Sequence, residues 1–147
     1  MTIRCEIVSQ DRTVFTGDVD IVVIPGAAGE MGILPKHAPV LTTLKFGVVK
    51  VRKNGKEELF AVAGGVAEIQ PEVVTILADR GSENIEDIDV DRALAAKKRA
   101  EEYLAKGVPA DLDRYEIMEA ALRRANLRLD VVRRYRKGGS NFPHSES

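Results

Sequence analysis

The hydrophobic pattern of this 147-residue chain changes period once, between residues 78 and 89, and that change divides it into two unlike parts. Up to about Ala78 the apolar residues form short Val- and Ile-rich runs at 3–8, 19–24, 40–44, 48–52, 59–63 and 73–78. Several of them alternate. Val49, Val51 and Lys53 fall on one face and Lys50 and Arg52 on the other, the period-two signature of a strand. Gly17-Asp18, Asn54-Gly55 and Gln70-Pro71 read as turns. Asn54-Gly55 is the strongest hairpin signal, because both residues tolerate positive φ between two alternating runs. Many short strands at close spacing predict a β-sandwich or flattened barrel.

Beyond about Asp87 the period becomes helical. Asp89 is placed to cap a helix carrying Ala93, Ala96, Ala100 and Leu104 at helical spacing. Lys106 sits in its last turn, Gly107 closes it and Pro109 prevents its continuation. Asp111 then caps a second helix running to about Lys137, where Gly138-Gly139 ends it, and the polar tail 138–147 is expected to be disordered. So short a connection makes the helices antiparallel neighbours. A turn centred near Pro109 sets Ala93 opposite Ala125, and Ala96 opposite Ala121 and Leu122. A seam of methyl groups removes little apolar surface, at roughly 25 cal/mol per Å², so such a hairpin forms readily and docks weakly. The expected division is therefore 1–84 strands, 85–137 helical hairpin and 138–147 tail.

Charge follows the same division. Residues 83–91 hold five acidic side chains (Glu83, Glu86, Asp87, Asp89, Asp91) and no basic one. Residues 123–137 hold seven basic ones against the single Asp130. Both placements complement a helix macrodipole, and antiparallel pairing brings the two ends together. This placement suits either mutual neutralisation within the hairpin or docking to an acidic partner.

The net charge of −1 and the lone aromatic Tyr135 in the basic run argue against nucleic-acid binding. No stretch approaches the roughly 18–20 apolar residues of a membrane-spanning helix. The N-terminus Met1-Thr2-Ile3-Arg4-Cys5 lacks a signal-peptide core. With one cysteine and two histidines, neither a disulfide nor a metal cluster is expected. The glycine-rich segment 26–32 has no following Lys-Ser/Thr and opens no helix, so it reads as a loop rather than a phosphate cradle. No catalytic residues are expected.

Three segments carry a resemblance. Gly29-Glu30-Met31-Gly32-Ile33-Leu34-Pro35-Lys36-His37-Ala38-Pro39 resembles the G-E-x-G-I-L-P-G-H-x-P signature of the epsilon subunits of F-type ATP synthases. Ala63-Gly64-Gly65-Val66-Ala67-Glu68-Ile69 is similar to that family's S-G-G-x-x-E-V segment, and Ile88-Asp89-Val90-Asp91-Arg92-Ala93 to its I/L-D-x-x-R-A motif. Order and spacing match from Ile3 to about Arg136. Lys36 departs from the pattern, standing where the family usually has Gly.

The resemblance implies an α+β protein, with an N-terminal ten-stranded β-sandwich followed by a C-terminal antiparallel two-helix hairpin. It implies a non-catalytic rotor subunit, on the cytoplasmic face of a bacterial plasma membrane, with the gamma subunit, the c-ring and the alpha/beta catalytic head as partners. Membrane association would come only through that complex. Contacts to gamma and the c-ring would come from Glu30, Met31, Ile33 and His37. A mobile hairpin would inhibit ATP hydrolysis when extended, docking on the beta subunits through Arg123, Arg124, Arg128, Arg133 and Arg134. No cofactor is required, but ATP would be a regulatory ligand of the folded hairpin, held by Glu83, Ile88, Asp89, Arg92, Ala93, Arg99, Arg124 and Arg128. The rival reading is a free-standing small-ligand-binding β-sandwich.

Overall fold

The computed structural model describes residues 1–136; the expected helix end at Lys137 and the tail 138–147 lie outside the described residues. The chain divides into two units, Met1–Asn84 and a second beginning at Ile85.

In the first unit the strands are β1 (Ile3–Ser9), β2 (Thr13–Val19), β3 (Ile21–Gly26), β4 (Gly29–Ile33), β5 (Val40–Lys53), β6 (Lys56–Ile69), β7 (Val73–Ala78) and β8 (Glu83–Asn84). The ladder runs β2-β1-β7-β6-β5-β3-β4, with β8 added to β6. Every pairing is antiparallel except β1 with β7.

The strand count is eight, not the expected ten, because β5 and β6 are each a single strand of 14 residues. β5 takes in both the 40–44 and the 48–52 runs, and β6 continues past 59–63 through the glycines to Ile69. Gly64 and Gly65, at φ +104° and +137°, bend β6 without ending it. The first half of β6 pairs with β8 through Phe60 and Ala61, and the second half with β7 from Gly65 to Ile69. The two long strands thus belong to both layers of the sandwich. Two further segments differ from expectation. Gly17 and Asp18 are not a turn but lie inside the edge strand β2, opposite Cys5 and Arg4. The glycine-rich segment supplies β4, joined to β3 by the two-residue turn Ala27-Ala28.

Alternation decides which side chains enter the core. Ile3, Cys5 and Ile7 of β1, Val22 and Ile24 of β3, and Val74 and Ile76 of β7 are all at most 1% exposed and belong to one cluster. Phe60 joins it and lies 5.3 Å from the Phe15 ring, centroid to centroid. Each such residue stabilises the fold by about 1.5–3 kcal/mol. The Asn54-Gly55 turn has both residues at positive φ, 52° and 78°, and the Asn54 N–H donates to Asp20 Oδ2 at 2.8 Å. That bond fixes the tip of the β5–β6 hairpin.

The second unit opens with a 3-10 turn, Ile85–Asp87, followed by α1 (Val90–Leu104) and α2 (Leu112–Tyr135). Asp89 and Asp111 cap the helices, accepting the N–H groups of Arg92 and Arg114 at 3.0 and 3.2 Å. Gly107 takes φ +88° in the turn, and α1 and α2 pack as an antiparallel pair. The buried residues are Val90, Ala93 and Ala100 of α1 and Ala125, Leu129, Val131 and Val132 of α2, so alanine is only part of what the helices bury. On α2 the Asp130 carboxylate and the Arg134 guanidinium, at i and i+4, approach to 3.6 Å.

Candidate functional site

The segment 30–37 is shaped by two turns. The β3–β4 hairpin presents Glu30 to solvent, while Met31 packs against the core. Leu34-Pro35-Lys36-His37 then forms a turn closed by the His37 N–H on the Leu34 carbonyl at 3.2 Å. Pro35 at the second position and φ +68° at Lys36 in the third define a type II turn, which explains why this place favours glycine. The Lys36 N–H donates to Pro71 O at 2.8 Å. His37 Nδ1 donates to the Ala38 carbonyl at 2.7 Å, so its ring is held within its own loop. Ile33 corrects the expectation of a contact residue: it is 0% exposed and part of the sandwich core. The exposed large apolar side chain in this segment is Leu34, at 58%.

The second group lies on the hairpin. Arg92 and Arg99 are exposed at i and i+7 on one face of α1, and Arg124 and Arg128 are half-buried at i and i+4 on one face of α2. With α1 ending at Leu104 and α2 beginning at Leu112, equal rise along antiparallel axes sets Arg92 level with Arg124. Arg128 is then about 6 Å away along the axis and Arg99 about 10 Å toward the turn, at 1.5 Å per residue. Ile88 and Ala93 are buried, at 3% and 4%, and anchor the start of α1 rather than presenting side chains. The Asp89 carboxylate is engaged as the cap. Glu83 belongs to the strand unit, where its carboxylate is 3.9 Å from the Arg12 guanidinium. Arg123, Arg133 and Arg134 are exposed along α2.

Sequence reasoning passed over Arg136, which caps α2 and donates from Nη2 to the carbonyls of Ile85 and Ile88. Nothing in the basic run distinguishes it from its neighbours except that it is the residue at which the helix ends. A cleft of about 510 Å³ also opens between β2 and the tip of the β5–β6 hairpin. It is floored by Phe15, Val19 and Val51 and rimmed by Lys53, Lys56 and Asp18. Its rim mixes both signs of charge, which selects no ligand class.

Comparison with known proteins covers both units. Residues 2–83 match the family model described as ATP synthase, Delta/Epsilon chain, beta-sandwich domain. Residues 86–133 match that of the ATP synthase, Delta/Epsilon chain, long alpha-helix domain. The chain is 47% identical over 133 residues to the ATP synthase epsilon chain of Bacillus licheniformis, covering 90% of this chain and 98% of that one. It is 44% identical over 138 residues to the ATP synthase epsilon chain of Nitrosococcus oceani, covering 93% and 96%. Among solved structures, a chain of the Euglena gracilis mitochondrial ATP synthase (OSCP/F1/c-ring) aligns with TM-score 0.61 and 25% identity, over 88% of this chain and 76% of that one.

Proposed function

The chain belongs to the ATP synthase delta/epsilon chain family, and on that premise we propose that it is a non-catalytic rotor subunit whose hairpin restrains ATP hydrolysis and senses ATP. The observation that carries the reading is the match of both family models, in order, to the two units into which the chain divides. The sandwich would join gamma to the c-ring through the exposed end bearing Glu30 and Leu34, with His37 beside it. Its hold on the membrane would be through the complex, on the cytoplasmic face; no helix among the described residues is long and apolar enough to cross a membrane.

The hairpin's part follows from its energetics. A seam that is partly alanine makes the paired form of α1 and α2 easy to assemble and inexpensive to leave, so two arrangements can lie within a few kcal/mol of each other. Extended, the exposed arginines of α2 would meet acidic surface of the catalytic head and block rotation in the hydrolysis direction. Folded, Arg92, Arg124 and Arg128 would lie within about 6 Å along the hairpin axis. Guanidinium groups at that spacing repel one another and suit a polyphosphate, which each can bind through paired N–H donors. Bound ATP would favour the folded form by about 2.7 kcal/mol at a concentration one hundred times Kd.

The test is calorimetric titration of ATP and then ADP into the full-length chain and its Arg92→Ala and Arg124→Ala variants. Saturable binding of ATP is expected, weakened about 10- to 100-fold in each variant, the loss of one charge-assisted contact. No heat at millimolar ATP would remove the sensor role and leave these arginines to docking. Co-purification with gamma tests the rotor role separately.

A further inference from the structure

The backbone where the hairpin begins is short of hydrogen-bond donors. Asp89 caps α1 with its side chain, and Oδ1 takes the Arg92 N–H. In a continuing helix that amide would serve the Ile88 carbonyl, four residues back, so the cap leaves Ile88 O without its helical partner. The Ile85 carbonyl receives the Ile88 N–H at 3.4 Å, a weak bond. Both residues are only 3% exposed, which limits what water can supply.

The donor comes from the far end of the hairpin. α2 finishes at Tyr135, and Arg136 leaves the helix in an extended conformation, with φ −74° and ψ 121°. Its Nη2 reaches the carbonyls of both Ile85 and Ile88, the latter at 2.8 Å, across 51 and 48 residues of chain. One planar guanidinium therefore ties the end of α2 to the turn that precedes α1, at the open end of the hairpin, opposite Gly107.

We propose that Arg136 is the latch of the helical hairpin: its guanidinium holds the Ile85–Ile88 entrance against the end of α2, and the helices separate only when it lets go. The bond has the character a switch needs. It is charge-assisted, and the guanidinium and both carbonyls can be solvated by water on opening, so release is reversible. The latch also positions Asp89 at the start of α1, next to the face that carries Arg92. Its existence rests on this geometry alone; its bearing on hydrolysis rests on the proposed inhibitory role of the extended hairpin.

Amide hydrogen exchange on the full-length chain, without nucleotide, tests it. Arg136→Ala is expected to speed exchange of the most protected α1 and α2 amides about tenfold while β1 and β7 keep their rates. Arg136→Lys, whose compact ammonium cannot reproduce the planar bridge, should fall between. Unchanged hairpin exchange in Arg136→Ala, or an equal rise in both units, would overturn the latch. In enzyme reconstituted with Arg136→Ala, ATP hydrolysis should be more strongly inhibited than with the parent chain. Faster hairpin exchange with unaltered hydrolysis would uphold the latch and overturn the inhibitory role.

Discussion

Two glycines with nearly the same φ allow strain and collision to be separated experimentally. Gly65 of β6 has φ +137° and Gly29 of β4 has φ +138°. A Cβ at Gly29 would meet nothing within 4 Å. At Gly65 it would run into the Leu77 carbonyl oxygen and lie 3.0 Å from Ala78 Cα, both backbone of the neighbouring strand β7. Both alanine variants carry the cost of a conformation that L-residues rarely adopt, about 2 kcal/mol. Gly65→Ala adds the displacement of a paired strand, about 2 kcal/mol more, because backbone cannot swing aside as a side chain can. A unit of this size has roughly 4–12 kcal/mol of stability, so a loss of about 4 is a large part of it. The chain has no Trp, so unfolding is best followed by far-ultraviolet circular dichroism in urea. With m of about 1.5 kcal/mol per M, the midpoint should fall by about 1.3 M for Gly29→Ala and about 2.7 M for Gly65→Ala. Equal shifts would show that β7 moves aside freely, and that close approach is not what requires glycine at position 65.

The type II turn at Lys36 gives the opposite sign: Lys36→Gly should gain about 0.5–1 kcal/mol, the left-handed penalty less the entropy of glycine, seen as a higher thermal midpoint. The Cys5 thiol is pushed up to about 12 by burial and then by the Glu6 charge, so it stays neutral in the fold while the unfolded chain ionises near 9.0. Its contribution is therefore fully present below about pH 9 and lost as pH rises toward 12; stability that did not decline over that window would refute it, as would rapid alkylation of the native thiol at pH 8. Reversing Arg123, Arg124 and Arg128 together to Glu should relieve inhibition of hydrolysis in the assembled enzyme without preventing assembly; unchanged inhibition would remove electrostatic docking.

Strands whose inward residues form a continuous apolar row were legible in the sequence: β1, β3 and β7 each fill the core with every second side chain. β2 was not, because an edge strand with Thr13, Thr16 and Asp18 toward solvent and a glycine at 17 on its inward face has no apolar alternation to read. β4 was hidden for a related reason, its glycines being a hairpin requirement that resembles a loop. The expected count of ten came from the family resemblance; here β5 and β6 each run unbroken for 14 residues, β6 bending at Gly64 and Gly65 through their positive φ. Capping was transparent, since Asp89 and Asp111 act through their nearest neighbours in sequence. Arg136 was opaque because its partners are two carbonyls about fifty residues away, and carbonyls carry no residue-specific signal. The burial of Ile33, within a segment expected to face a partner, follows from the strand parity of β4, which its glycine-rich sequence conceals.

The two long strands also decide how the sandwich responds to mechanical load. Layers joined only by interdigitated side chains can slide, since apolar packing resists separation far better than shear. Here β5 and β6 each pass through both layers as one uninterrupted chain of 14 residues, knitted to each other from Val40↔Ile69 to Lys53↔Lys56. A twisting force entering at the β3–β4 end reaches β7 and β1 along peptide bonds and ladder hydrogen bonds, not through side-chain friction. The sandwich should therefore turn as a stiff body, with its compliance confined to the turns.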